Sequence, residues 1–406
     1  FPEQEVSNML VQLRYFTKRN VFIGGVTGYV LCVMLLRNKS SQNRTFGYNK
    51  EVSFMDYLDM YQNDLKTCSP VQNIGFLKTH KCASTTIQNI IMRYGMKHNL
   101  NFVLPLEANY ISKLQPFQKK MIPELPWPNT SYNIIAHHTV WNSKVAKEIL
   151  PSNALFVSTV RDPVDMFESL YTYTGLTGMP LPAFIEGVNN GTLEKNYRYK
   201  HYGRNQMLFD FGLHPSFNDN VTMIESKIKE IESNFDLIMI AEHFEESMIL
   251  LKELFCWNMS DILSLKLNQR NQKFHSSLTP KQRDKFRSWL KGDQLLYDHF
   301  EQIFNNKVEE FGREKMTREI EKLRKHNNDL YNTCVKEIKN SFDLKPPFKL
   351  YSSKVLSFQI KENKSWCDNY AKSELVLTVE LIEEQFRRFQ STSTPVVSSI
   401  KSGNAK

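Results

Sequence analysis

The chain contains no Cys-x-x-Cys pair, no Cys/His cluster at zinc spacing and no Gly-rich lead into Gly-Lys-Ser/Thr. The first two absences exclude a zinc ribbon or finger, so no metal site is expected. The third excludes a Walker-type phosphate loop, and with it an ordinary nucleotide kinase. Asp-x-Asp is also missing, which argues against a metal-dependent glycosyltransferase. No block of five Lys/Arg occurs, so no nucleic-acid partner is expected. Nor is there an unbroken apolar stretch of the roughly 20 residues that a typical bilayer core requires. What the chain does have is mass and positive charge. Its 406 residues, 41% hydrophobic and 12% aromatic, suffice for a sizeable core in one large domain or two. Lys and Arg outnumber Asp and Glu by 52 to 43, a net charge of +9, which favours anionic partners such as phosphates, sulfates or acidic lipids.

From Asn20 to Leu36 the sequence carries no charge (NVFIGGVTGYVLCVMLL). Residues 21–36 would span about 24 Å as a helix, short for a plasma membrane and closer to the thinner ER bilayer. Read as a single-span signal anchor, this run puts residues 1–20 in the cytosol. That start is open to truncation, because the first residue is Phe1 and not Met. Residues 37–70 follow as a polar luminal stem, with the rest of the chain in the lumen. Asn-x-Ser/Thr sequons at Asn38, Asn43, Asn129, Asn190, Asn220, Asn258 and Asn363 fit that side of the membrane. Cys32 falls inside the anchor and leaves Cys68, Cys82, Cys256, Cys334 and Cys367. An odd number means that at least one stays free or pairs between chains, while an oxidising lumen favours disulfides among the others.

Four short runs rich in Ile, Val and Leu read as buried strands: residues 73–77, 132–136, 154–160 and 236–241. Between them lie helical patterns. Ile87, Ile90, Ile91 and Tyr94 recur at i, i+3, i+4 and i+7, with Ser84 as the expected N-cap and Gly95 as the stop. Asp162-Pro163 opens a second helix as cap and first residue, and residues 245–255 give a third. The alternation predicts an α/β fold with a mainly parallel central sheet flanked by helices. Residues 278–338 read as helical, with i,i+4 pairs Glu309/Arg313, Glu314/Arg318 and Glu321/Lys325. Residues 391–406, rich in Ser and Thr, are expected to be disordered.

The chemistry gathers at three strand ends. The first strand runs into Lys78-Thr79-His80-Lys81-Cys82-Ala83-Ser84-Thr85-Thr86 and then a helix, which makes an anion site of backbone N–H groups, helix dipole and Lys. The third runs into Arg161-Asp162-Pro163 and a helix carrying Ser169, a pair suited to clamping a second phosphate. The bland alternative pairs Arg161 with Asp162 or Asp165. The second strand ends in His137-His138, where an imidazole suits a general base for a hydroxyl. In a parallel sheet these ends share one crevice. The combination fits a doubly phosphorylated nucleotide and an alcohol acceptor.

The segments IGFLKTHKCASTT, NIIAHHTVW and VSTVRDPVDMFESLYTY, with HYGRNQMLFDFG and EHFEESMILLKELFCWNMSDILSLKLNQR further on, resemble the galactose 3-O-sulfotransferases. The resemblance covers most of residues 71–340, the expected sulfotransferase domain. The C-terminal extension 341–406 resembles the family poorly, and no role is carried over to it. The resemblance implies a P-loop-like site for 3′-phosphoadenylyl sulfate (PAPS) and transfer to the 3-hydroxyl of a terminal β-galactose on a glycolipid or glycan. It also implies a single-pass type II protein of the Golgi membrane. On the matching positions, Lys78, Thr79, Lys81, Ala83, Ser84, Thr85 and Thr86 would cradle the 5′-phosphosulfate, with Lys81 on the bridging oxygen. Arg161 and Ser169 would hold the 3′-phosphate, and Arg270 would close over the donor. His138 stands at the position of the catalytic base, with His80 a further candidate. Cys82 replaces a small hydroxyl residue; as a free thiol it leaves Cys68, Cys256, Cys334 and Cys367 with three possible pairings. For the acceptor, Phe117, Trp127 and Tyr171, Tyr173, Tyr197, Tyr199 and Tyr202 are candidates for stacking on a sugar. Competing readings are a luminal glycosyltransferase, a sulfotransferase for another carbohydrate hydroxyl, and a non-catalytic PAPS- or glycan-binding relative.

Overall fold

The computed structural model describes residues 68–106, 108–125, 130–174, 179–189, 203–350 and 352–391. The expected cytosolic start, the anchor, nearly all of the stem and residues 392–406 lie outside them, as do Trp127, Tyr197, Tyr199 and Tyr202. No helix of the described residues is long and apolar enough to cross a membrane.

The apolar runs form one parallel sheet. The elements that position the site are, in chain order, β1 (Ile74–Leu77), α1 (Ser84–Lys97), β2 (Phe102–Val103), β3 (Ile134–Ile135), β4 (Leu155–Val160) and α2 (Pro163–Thr174). They continue with α3 (Gln206–Asp210), β5 (Leu237–Ile240) and α4 (Phe244–Leu254). The strand order is β2-β3-β1-β4-β5, with Ile74 opposite both Ile134 and Leu155. All four residues of β1 and of β5 are buried, as expected where helices cover both faces. Gly75 is required in β1, because a Cβ there would run into the Phe156 ring. Strand β2 has no counterpart in the sequence reading: two residues give no alternation to detect.

Two helix boundaries differ from expectation. Ser84 is the first helical residue of α1 and not its cap; the cap position belongs to Ala83 in left-handed backbone (φ 59°). Gly95 does not stop α1, which runs on to Lys97. A Cβ at Gly95 would strike Phe102 and Ile134, so this glycine serves the close approach of helix to sheet. The expected cap of α2 is present: Asp162 Oδ1 accepts from the N–H of Val164 (3.0 Å) and Asp165 (2.9 Å).

The stretch read as helical divides into α5 (Pro280–Trp289), α6 (Lys291–Phe311) and α7 (Arg313–Cys334). It ends before residue 338, because residues from Val335 onward form β6 (Val335–Asn340), antiparallel to β7 (Leu356–Ile360). The Cys334–Cys367 disulfide sits at that transition. Arg313 and Arg318 pair with Glu309 and Glu314 as expected, whereas Lys325 reaches Asp329 (3.8 Å). The chain then closes with α8 (Glu374–Ser391), packed against α1. Its Gln385 covers the edge of the sheet: Oε1 accepts from Phe102 N–H (2.8 Å) and Nε2 donates to the Phe102 carbonyl (3.3 Å). A side-chain amide thus takes the place of a neighbouring strand. The second disulfide is Cys68–Cys256, and Cys82 is free and buried.

Candidate active site

The strand order reverses beside β1. From β1 the chain moves to β2 and β3 on one side, then crosses to β4 on the other. Ligands of open parallel sheets bind at the carboxyl ends of strands at such a switch point. The loop from Lys78 to Ala83 leaves β1 there and enters α1, turning through left-handed backbone at Lys81 (φ 57°) and Ala83. Hydroxyls stitch it to β4. Thr79 Oγ1 donates to the Thr159 carbonyl (2.6 Å), and Thr159 Oγ1 donates to the Cys82 carbonyl (3.0 Å). Ser84 Oγ donates to the Thr79 carbonyl (2.6 Å), and the Thr86 hydroxyl accepts from Leu267 N–H (3.2 Å). The hydroxyls of Thr79, Ser84 and Thr86 therefore hold the loop's shape. What the turn offers an anion is the first N–H groups of α1, ahead of Thr86, whose own N–H donates to the Ala83 carbonyl (3.1 Å). Ala83 is exposed and Thr85 half-buried. Cys82 Sγ donates to the His80 carbonyl (3.2 Å), and burial raises its pKa far above the usual thiol value.

The predicted cations meet at this loop, on unequal terms. Burial, followed by the charges of Arg161, Arg270 and Lys78, lowers the Lys81 pKa to about 7. Its Nζ lies 3.8 Å from the centre of the Tyr173 ring. Arg161 Nη1 donates to the Lys81 carbonyl (3.0 Å), and its Nε is 3.8 Å from Glu242. The pairing of Arg161 with Asp162 or Asp165 does not form: Asp165 binds Arg283 (2.7 Å), and Asp162 binds Arg283 and Arg287. Ser169 is buried on α2, beside Glu168. Glu168 ion-pairs with Arg270 and accepts from Ser276 N–H (2.8 Å). Arg270 keeps two buried atoms, Nε and Nη1, without a hydrogen-bond partner. An unpaired guanidinium edge beside a lysine crowded by cations is what a bound polyanion would relieve. Lys78 stands apart. It is 1% exposed and its ammonium is committed to Glu374.

At the same edge His80 and His138 stack with ring centres 4.4 Å apart. His138 Nδ1 lies 2.9 Å from the Lys78 carbonyl. A carbonyl only accepts, so Nδ1 carries the proton and Nε2 is the basic atom. Burial, then the neighbouring Lys78 and His80 charges, holds the His138 pKa well below the usual 6.5. His80 Nδ1 faces Asp210 (2.9 Å) and its Nε2 faces the Tyr110 hydroxyl (3.0 Å). Tyr110 in turn stacks on His138 at 5.0 Å. His137 points elsewhere: Nε2 bonds the Thr378 hydroxyl (2.9 Å), and burial lowers its pKa to about 4.

Asp210, Tyr110, Glu168 and Glu374 were not singled out from sequence. Asp210 is a carboxylate set between Met207-Leu208-Phe209 and Phe211, a pattern that calls for a buried partner. Of the aromatic candidates, Phe117 is fully buried against Trp141 and Tyr171 is buried on α2, so both belong to the core. Tyr173, on Lys81, is at the site.

The comparisons with known proteins agree on one family. Human galactosylceramide sulfotransferase is 35% identical over 277 residues, covering 66% of this chain and 65% of that protein's length. Human galactose-3-O-sulfotransferase 2 is 30% identical over 289 residues, covering 68% of this chain and 72% of that protein. Mouse galactose-3-O-sulfotransferase 3 is 31% identical over 277 residues, covering 64% and 63%. Residues 28–365 match the family model described as galactose-3-O-sulfotransferase, which includes the loop, both imidazoles, Arg161, Ser169 and Arg270. The chain belongs to the galactose-3-O-sulfotransferase family.

Proposed function

We propose that the protein transfers the sulfuryl group of PAPS to the 3-hydroxyl of a terminal β-galactose on a glycolipid or glycan. The observation that carries this reading is Lys81, Arg161 and Arg270 around one strand–helix loop, with two stacked imidazoles at the same sheet edge. Lys81 and the N–H groups opening α1 meet the 5′-phosphosulfate. Arg161 and Ser169 take the 3′-phosphate, and Arg270 offers its unpaired edge to the donor. His138 Nε2 accepts the proton of the 3-hydroxyl as that oxygen bonds to sulfur. The bond from sulfur to the bridging oxygen breaks, and Lys81 stabilises the charge left on the departing phosphate. The products are the sulfate ester, 3′-phosphoadenosine 5′-phosphate and a proton, first held by the imidazole. The depressed pKa keeps His138 neutral and able to accept, so the acid limb of kcat/KM should lie below pH 6.5.

A second reading makes His80 the base. It is favoured by Asp210, which would stabilise the imidazolium as it forms. His138→Ala and His80→Ala separate the two: the true base loses turnover while 3′-phosphoadenosine 5′-phosphate still binds. We also propose a single-pass Golgi protein with a luminal catalytic domain, supported by the apolar run 21–36, the sequons and the two disulfides. The test of function is ³⁵S transfer from PAPS to a panel of galactosides. Label at galactose O3 supports the reading. Label at another hydroxyl contradicts the 3-O assignment, and no transfer despite donor binding indicates a binding protein.

A further inference from the structure

Helix α8 opens at Glu374, beyond residue 365 where the family match ends. Its carboxylate nonetheless reaches the heart of the site. It ion-pairs with Lys78 and accepts from Gln88 Nε2 (3.0 Å) and Asn109 Nδ2 (3.4 Å). The carbonyl of that same Lys78 fixes the His138 tautomer. Asn109 directly precedes Tyr110, which stacks on His138 and bonds His80. One turn along α8, the Thr378 hydroxyl donates to the Glu374 carbonyl (2.8 Å) and holds His137, the chain neighbour of His138. The helix therefore touches Lys78, whose carbonyl meets His138, Asn109, which precedes Tyr110, and His137, the chain neighbour of His138.

The ends of this helix are anchored independently of the ion pair. The Cys334–Cys367 disulfide fixes the segment before it, while Gln385 and Arg388 bind the backbone at and just before β2. A nearly inaccessible ammonium is costly to bury unless paired, so Lys78 in this position requires Glu374. Removing the charge from Glu374 would free Lys78 to move, and with it the carbonyl that orients His138.

We propose that Glu374 is a positioning residue for sulfuryl transfer: through Lys78 and Asn109 it fixes His138 and His80, which makes the C-terminal helix part of the catalytic apparatus. This rests on the reading of His138 or His80 as base given above. The test uses the full chain and compares Glu374→Gln and Glu374→Asp with the wild type. The readouts are kcat at saturating PAPS and galactoside, the Kd for 3′-phosphoadenosine 5′-phosphate, and the unfolding midpoint. Misplacing an imidazole should lower kcat by about tenfold to a hundredfold, with donor Kd nearly unchanged and partial recovery in Glu374→Asp. In a His138→Ala, His80→Ala background, Glu374→Gln should cost the residual rate nothing further. A folded Glu374→Gln with wild-type kcat overturns the proposal, as does an equal loss in both backgrounds. If Glu374→Gln does not fold, the Lys78→Met, Glu374→Gln double variant, which leaves no buried charge unpaired, decides: wild-type kcat in it overturns the proposal. Wild-type kcat in both histidine variants would instead refute the base assignment, whatever Glu374 does.

Discussion

At neutral pH a lysine with a pKa near 7 is only partly charged, and Lys81 is held there by burial and by Arg161, Arg270 and Lys78. A polyanionic donor favours the ammonium, so binding raises that pKa and takes up a proton. The sign follows: below pH 7 the charge is already present, and above it the proton must be supplied. Affinity for 3′-phosphoadenosine 5′-phosphate should therefore weaken as pH rises from 7 to 9, with proton uptake visible by calorimetry in buffers of different ionisation enthalpy. Lys81→Arg should flatten that dependence, since an Arg keeps its charge throughout. Arg161 has a narrower task. Arg161→Ala should weaken 3′-phosphoadenosine 5′-phosphate about tenfold to a hundredfold, the worth of a charge-assisted hydrogen bond, and AMP much less. Equal weakening of both nucleotides would remove the 3′-phosphate from Arg161.

Among the elements, α1 shows how closely the site depends on packing below it. Gly95 lets the helix lie against Phe102 and Ile134, and α1 carries the N–H groups proposed to face the donor. Gly95→Ala should cost about 1–3 kcal/mol in urea unfolding, although Ala is the better helix former in isolation. The same position explains what sequence can convey. A glycine after a helical run reads as a stop, because its need for close approach appears only once β2 is in place. Strands β1, β3, β4 and β5 were legible because burial on both faces leaves near-continuous apolar runs. The loop cations and His138 were legible because they follow such runs directly. Asp210, Tyr110 and Glu374 were not, since each reaches the site across a long stretch of chain, 130 residues between Asp210 and His80 and 296 between Glu374 and Lys78. Spacing along the chain carries no trace of such pairs.

At the scale of the molecule, the segment after residue 340 is part of the enzyme's frame. The Cys334–Cys367 bridge closes a span of 33 residues, worth about 3–4 kcal/mol on the chain-entropy account. Cys334→Ser with Cys367→Ser should lower the unfolding midpoint and reduce kcat more than donor affinity, because α8 is tethered through that bridge. The groups proposed for the donor lie on the loop after β1, at Arg161 and Ser169 just before and within α2, and at Arg270, whereas the imidazoles are proposed to depend also on α8. The two halves of the reaction should thus separate under mutation. The most direct measurement is single-turnover ³⁵S transfer from PAPS to a terminal β-galactoside by the wild type and by His138→Ala, with donor binding measured alongside. The wild type should place label at galactose O3, and transfer should fall by about a hundredfold or more in the variant at nearly unchanged donor Kd. Undiminished transfer by His138→Ala would contradict its role as base, and an absence of galactose labelling by the wild type would contradict the reaction itself.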